Sequence, residues 1–240
     1  MSRTPNPPVA RHAAYEFALT TALFFSVLTV IRWLAHPGSP IAISDPDLLF
    51  PTVGTLVALL IGGLMVTPLG RASGGHMHPG VSVFVWLTGG MPGRAVLPFV
   101  AAQLAGSLAA TGLARLVWGD ALTQIGYAAV HPAASWGDGL LFLVEGGCLV
   151  PILLGVALVA SRPATAKYIP VVIAVGVGLV VATLVPYSGA SINPARALGP
   201  AIFAGQYDHL WVYLTASVLS PLLVALTLRA LARRAQPTSA

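Results

Sequence analysis

The sequence predicts an all-α membrane protein with six transmembrane helices and two re-entrant half-helices, arranged as an inverted repeat of three plus three. Three observations carry this: the composition, the lengths of the apolar runs, and a motif that occurs twice. Of 240 residues, 56% are hydrophobic and 8% charged, against roughly 25% charged in soluble domains. The mean hydropathy is +0.84. This excludes an ordinary soluble enzyme and a disordered chain. The 12 cations and 7 anions are spread thinly, so their excess reads as an orientation signal rather than a nucleic-acid surface. The expected partner is the lipid bilayer, with no nucleic acid. Cys148 is the sole cysteine, which leaves no intrachain disulfide and no multi-cysteine metal site. The first twelve residues hold Arg3, Arg11 and three prolines, without the pattern of a cleavable leader.

The apolar runs give the elements in order. Crossing the ~30 Å hydrocarbon core takes about 20 residues of helix. Long runs cover 14–35, 50–70, 94–118, 139–161, 169–187 and 209–231. Two runs are short, Val81 to Leu87 (closed by Gly89 and Gly90) and 194–204. A segment of roughly 11 residues reaches about 16 Å as a helix, half a bilayer. Such a segment is tolerated only where other helices surround it or where it lines a water-filled cavity. The cations then orient the chain. With the N-terminus cytoplasmic, Arg3, Arg11, Arg71, Arg94, Arg162, Lys167 and the basic residues Arg229, Arg233 and Arg234 all fall inside, as the positive-inside rule requires. Arg32 and Arg115 sit at outer helix ends, where they can snorkel. The aspartates Asp45, Asp47, Asp120, Asp138 and Asp208 fall outside. Both termini are expected in the cytoplasm.

The short runs follow nearly the same sequence. Ser73-Gly74-Gly75-His76-Met77-His78-Pro79-Gly80 matches Ser188-Gly189-Ala190-Ser191-Ile192-Asn193-Pro194-Ala195, and every residue of the second copy lies 115 positions after its counterpart. Each copy follows two long runs and precedes a third. Glu16 and Glu145 lie early in the first run of each half. Three spans per half is odd, so the second half is inverted, and inverted repeats with broken helices meeting at the midplane mark a transport pathway. Proline suits the first position of a helix, and Asn193 before Pro194 is a favoured N-cap whose amide NH₂ remains a donor. Two N-termini meeting tip to tip each carry roughly half a positive charge. Their meeting point favours a lone pair and repels a cation.

With these residues the sequence resembles the aquaporin, or major intrinsic protein, family over about 12–234. Ser188 to Arg196 looks like the family's signature loop. The first copy departs: His78-Pro79-Gly80 stands where the family has Asn-Pro-Ala. The resemblance implies one pore per subunit, a homotetramer, and passive passage of water or small neutral solutes, with protons and ions excluded. It implies no enzyme activity and no cofactor. It expects a cytoplasmic tail at 1–12, a channel domain at 13–235 (repeats at about 13–118 and 139–234) and a polar tail at 236–240, in the plasma membrane. The pore motif would be His78, Pro79, Gly80, Asn193, Pro194 and Ala195. Glu16, Glu145 and Gln103 would brace the re-entrant loops, and a buried glutamate in a membrane is costly enough to be functional by default.

The family's outer constriction uses four positions. Counting back 20 from His78 gives Ala58, and counting back 12 from Asn193 gives Val181; Ala190 and Arg196 complete the set. Strict water channels place a bulky aromatic and a histidine at the first two. Small apolar residues there resemble the wider filters of plant nodulin-like members, associated with metalloid acids, urea and glycerol. Against a glycerol facilitator, Ala197 follows the arginine in place of aspartate. Tyr213 matches the water-channel pattern, while Leu214 replaces its tryptophan. The same fold could instead serve ammonia or hydrogen peroxide, or a non-conducting structural tetramer. An intramembrane metal site on His76-x-His78 is a weak signal, since no third ligand is obvious; no metal is expected.

Overall fold

A computed structural model describes residues 9–234. The tail expectations for 1–8 and 236–240 lie outside the described residues, and residues 9–12 form the first turn of the first helix. The helices are α1 (Val9–Ala35), α2 (Pro46–Met65), α3 (Pro68–Ser73), α4 (Pro79–Leu87), α5 (Val96–Trp118), α6 (Asp120–Gln124), α7 (Asp138–Gly147), α8 (Leu149–Ala160), α9 (Ile169–Ser188), α10 (Pro194–Ala204) and α11 (Leu210–Arg234), with no strand among the described residues. Six segments are long and apolar enough to cross a membrane: α1, α2, α5 with its preceding turn, α7 continued by α8, α9 with its preceding turn, and α11. The break at Cys148 between α7 and α8 sits just before Pro151, whose missing N–H removes one bond of the helical ladder. The run expected over 50–70 ends at Met65. Thr67 then caps α3 by accepting from Gly70 N at 3.1 Å, with Pro68 in the first turn.

The packing repeats the sequence symmetry. α2 lies along α9, α1 along α5, and α7 and α8 along α11; each half-helix packs on the last helix of the opposite half, α4 on α11 and α10 on α5. Between membrane helices, where lipid tails are as apolar as leucine, small residues allow close backbone approach and supply the packing. A Cβ on Gly54 would stand 2.5 Å from the Gly178 carbonyl oxygen, and one on Gly178 would stand 2.8 Å from both the Gly54 carbonyl oxygen and Ala58 Cβ. The two helices therefore cross backbone to backbone. The outward faces carry large apolar side chains, such as Leu116 (84% exposed) and Leu97 (76%), as a lipid-facing surface does.

Candidate channel and its half-helix tips

Two carboxylates organise the loops that precede α4 and α10. Glu16 on α1 is fully buried. It accepts His76 N at 2.9 Å, Met77 N at 2.7 Å, Ser73 Oγ at 2.7 Å and Gln103 Nε2 at 2.8 Å. Glu145 on α7, equally buried, accepts Ser191 N at 3.2 Å and Ile192 N at 2.5 Å. The backbone donors correspond across the repeat. So do the serines at the loop entries: Ser73 Oγ accepts from Gly75 N at 3.2 Å, and Ser188 Oγ from Ala190 N at 3.1 Å. A buried carboxylate is stable only when such donors satisfy it.

The backbone follows the same repeat. Gly74 and Gly189, Gly75 and Ala190, and Met77 and Ile192 all adopt positive φ (98° and 79°, 59° and 46°, 50° and 41°). For Met77, Ala190 and Ile192 the left-handed conformation costs about 1–2 kcal/mol each. The carboxylate bonds on the adjoining N–H groups hold it in place. Turning the chain this way aims successive N–H groups inward at Glu16 and Glu145.

The half-helix tips then meet. Asn193 caps α10 by accepting Ala195 N at 2.9 Å, and its Nδ2 donates to the Met77 carbonyl at 2.9 Å. His78 caps α4 through Nδ1, which accepts Gly80 N at 3.0 Å and Val81 N at 3.3 Å. Its Nε2 lies 2.7 Å from the Ile192 carbonyl oxygen. Pro79 and Pro194 hold the first helical positions. Ala195 is fully buried, and Ser107 Oγ on α5 donates to its carbonyl. Gly80 packs closely against α11. A Cβ there would stand 2.1 Å from the Ser217 carbonyl oxygen of α11, and the His78 ring is the more distant contact at 3.1 Å.

A cavity of about 360 Å³ runs past these tips, lined by Val53, Val57 and Ile61 of α2, by Val177, Val181 and Val185 of α9, and by His76, His78, Asn193 and Arg196. Val181, Ala190 and Arg196 line it. Ala58 does not. Its methyl group faces Gly178 in the α2–α9 crossing, and Val57 is the wall residue at that turn. Neighbouring helix positions point about 100° apart, so Val57 lines the cavity while Ala58 turns toward α9. Arg196 is tethered by one bond, Nη2 to the Ala128 carbonyl at 2.8 Å, and its buried Nη1 has no partner. The tether was not legible in advance. It comes from residues 126–131, where Gly126, Tyr127 and Ala128 all take positive φ, and the chain packs on Gly189, a Cβ of which would meet His131 N and O at 3.0 Å. The glycine at 126 was the only local signal. His76 Nδ1 bonds Ser82 Oγ at 3.0 Å. Among the described residues no three His, Cys, Asp or Glu side chains are grouped to hold a metal, and both ring nitrogens of His78 are already engaged.

Comparison with known proteins agrees with this architecture. The family model described as major intrinsic protein matches residues 6–227. A probable aquaporin of Arabidopsis thaliana, NIP7-1, is 30% identical over 92% of this chain and 77% of its own length. Aquaporin-8 of Rattus norvegicus is 32% identical over 86% of this chain and 75% of its own length. The solved aquaglyceroporin of Plasmodium falciparum shares the fold, with a TM-score of 0.71, 19% identity and coverage of 91% of this chain and 95% of that one. The chain belongs to the major intrinsic protein family and is a multi-pass membrane channel, not an enzyme, that passes water and small neutral solutes passively.

Proposed function

We propose that this channel has a wide, weakly polar constriction that admits glycerol, urea or metalloid acids as well as water. The supporting observation is the wall itself. The cavity that Arg196 lines is also lined by Val57, Val181 and Ala190, and a valine occupies far less of the passage than a phenylalanine or histidine ring. Arg196 is the constriction's cation: the unpartnered Nη1 donates to solute oxygen, and its charge repels cations in a passage of low dielectric. The caps and their carboxylates hold two positive helix ends at the midpoint, which opposes cation passage again. The repeats at about 13–118 and 139–234 form one pore, both termini face the cytoplasm of the plasma membrane, and four subunits associate as a homotetramer.

Stopped-flow light scattering of proteoliposomes with water, glycerol, urea and boric acid tests the reading. Solute flux above that of empty vesicles, together with water flux, is expected; water flux alone would overturn the wide constriction. Arg196→Val is expected to raise cation leak while neutral-solute flux persists. An unchanged leak in folded protein would assign the ion barrier to the half-helix tips alone.

A further inference from the structure

The two caps at the midpoint differ in how many N–H groups they own. The Asn193 amide has two. A neutral imidazole has one. At His78 the position of that proton is fixed by its neighbours: Nδ1 receives the backbone N–H groups of Gly80 and Val81, which can only donate, so Nδ1 is bare and the proton is on Nε2. Nε2 in turn faces the Ile192 carbonyl at 2.7 Å, which can only accept. The single donor of the ring is therefore spent on the opposite loop. Asn193 makes the corresponding cross-link, Nδ2 to the Met77 carbonyl at 2.9 Å, and still has one N–H over. Both residues line the cavity. The His78 ring meets it with no N–H to spare, because its one donor is spent on Ile192.

We propose that His78 is a specificity-determining residue that removes one of two side-chain donors from the midpoint of the pore, so that a permeant there is held through one lone pair, from Asn193 alone. The proposal rests on the channel reading above. Water and polyols carry two lone pairs on each oxygen and lose a hydrogen bond at the midpoint. Ammonia carries one lone pair and loses nothing. The substrate class favoured by this substitution is thus the small neutral solute with a single acceptor lone pair, and the disfavoured class is the hydroxylic solute that would use two donors at once. The cross-link itself is preserved, so the exchange of Asn for His changes the chemistry of the passage without loosening the joint between the loops.

His78→Asn restores the second donor and keeps the cap. One net hydrogen bond corresponds to a factor of about 2–10. In proteoliposomes, water flux per channel is expected to rise by about that factor in the variant, with ammonia flux unchanged. A rise shared equally by both permeants, or no rise in water flux, overturns the proposal. A second measurement needs no variant: solid-state NMR of wild-type protein in bilayers, with ¹⁵N-histidine and ¹³C-carbonyl-isoleucine labels. A protonated Nε2 in contact with the Ile192 carbonyl and slow to exchange with water is expected. Absence of that contact, or a proton on Nδ1, overturns the proposal even if the variant fails to fold. If neither protein conducts above empty vesicles, the channel reading falls, and the NMR result still decides whether the histidine donor is spent.

Discussion

In the loop before α4, a glutamate from α1 gathers two backbone N–H groups, a serine hydroxyl and the amide of Gln103, and the cap is a histidine. In the loop before α10, a glutamate from α7 gathers two backbone N–H groups with the Ser188 side chain beside it, and the cap is an asparagine. The left-handed residues coincide pair by pair. The backbone geometry of a re-entrant loop thus depends on one carboxylate and two N–H groups, and the side chains around it are free to differ. The first loop has extra bracing and a poorer donor at its tip. The second carries two donors that line the passage, Asn193 and Arg196.

The strongest way to break this comparison is to remove each carboxylate. Glu16→Ala leaves His76 N and Met77 N unpaired in a buried site, and Glu145→Ala leaves Ser191 N and Ile192 N. Each orphaned group costs about 1–3 kcal/mol, so each variant is expected to lose several kcal/mol in total. Glu16→Ala loses more, because Ser73 and Gln103 also surrender bonds to a charged acceptor. Thermal aggregation midpoints in detergent report the order. A lower midpoint for Glu145→Ala than for Glu16→Ala would show that the extra donors add nothing.

A smaller effect comes from making the first motif more like the second. Gly80→Ala restores the residue found at Ala195, but its Cβ would lie 2.1 Å from the Ser217 carbonyl, a backbone atom that cannot swing aside. Overpacking of this kind costs about 1–3 kcal/mol. The variant is expected to be less stable than wild type both alone and combined with His78→Asn, in the same thermal assay. A stable Gly80→Ala would mean that α4 and α11 can separate at this point.

These residues also mark what was legible in the sequence. The repeat, the proline-started half-helices, the asparagine cap and the pairing of Glu16 with Glu145 all follow from residue types at fixed spacing, because a cap or a buried carboxylate demands a particular chemistry. Three features were hidden. Ala58 lies in the α2–α9 crossing because that face of α2 meets Gly178, and a count along the chain does not measure which face meets a neighbour. The reason for Gly80 lies on α11, which is far away in sequence. The sequence shows that His78 owns one N–H and suggests a donor facing the pore; only the fold shows that this donor is spent on Ile192.

The corrected wall position gives a direct flux test. Val57→Phe with Val181→His is expected to cut glycerol and urea flux by about tenfold or more while water flux persists, since a hydrophobic constriction sorts solutes by size at about 1–3 kcal/mol for a methylene-sized difference. Ala58→Phe is expected instead to damage the α2–α9 crossing, where Ala58 Cβ already stands 2.8 Å from the Cβ position of Gly178. Its signature is lost yield and a lowered melting midpoint, not altered selectivity. Selective loss of solute flux in stable Ala58→Phe protein would return Ala58 to the wall.

The mildest change is acid. His78 caps α4 only while Nδ1 is bare, since a protonated imidazole has donors at both nitrogens and would face Gly80 N and Val81 N with a third donor. The cap, and with it the position of the ring at the midpoint, exists in the neutral form and is lost on protonation. Activity is therefore present wherever the ring is neutral and falls as pH drops. Water flux is expected to be steady in neutral buffer and to decline in acid buffer as the ring gains its proton. Asn193 has no titratable group, so His78→Asn makes the two caps alike and should remove the decline. His76 is the other histidine of this loop, bonded to Ser82 and seated beside Glu16, and it is unchanged in the variant. A decline that survives in His78→Asn would assign the acid response to His76 or to the carboxylates, and would leave the two tips equal in their response to pH.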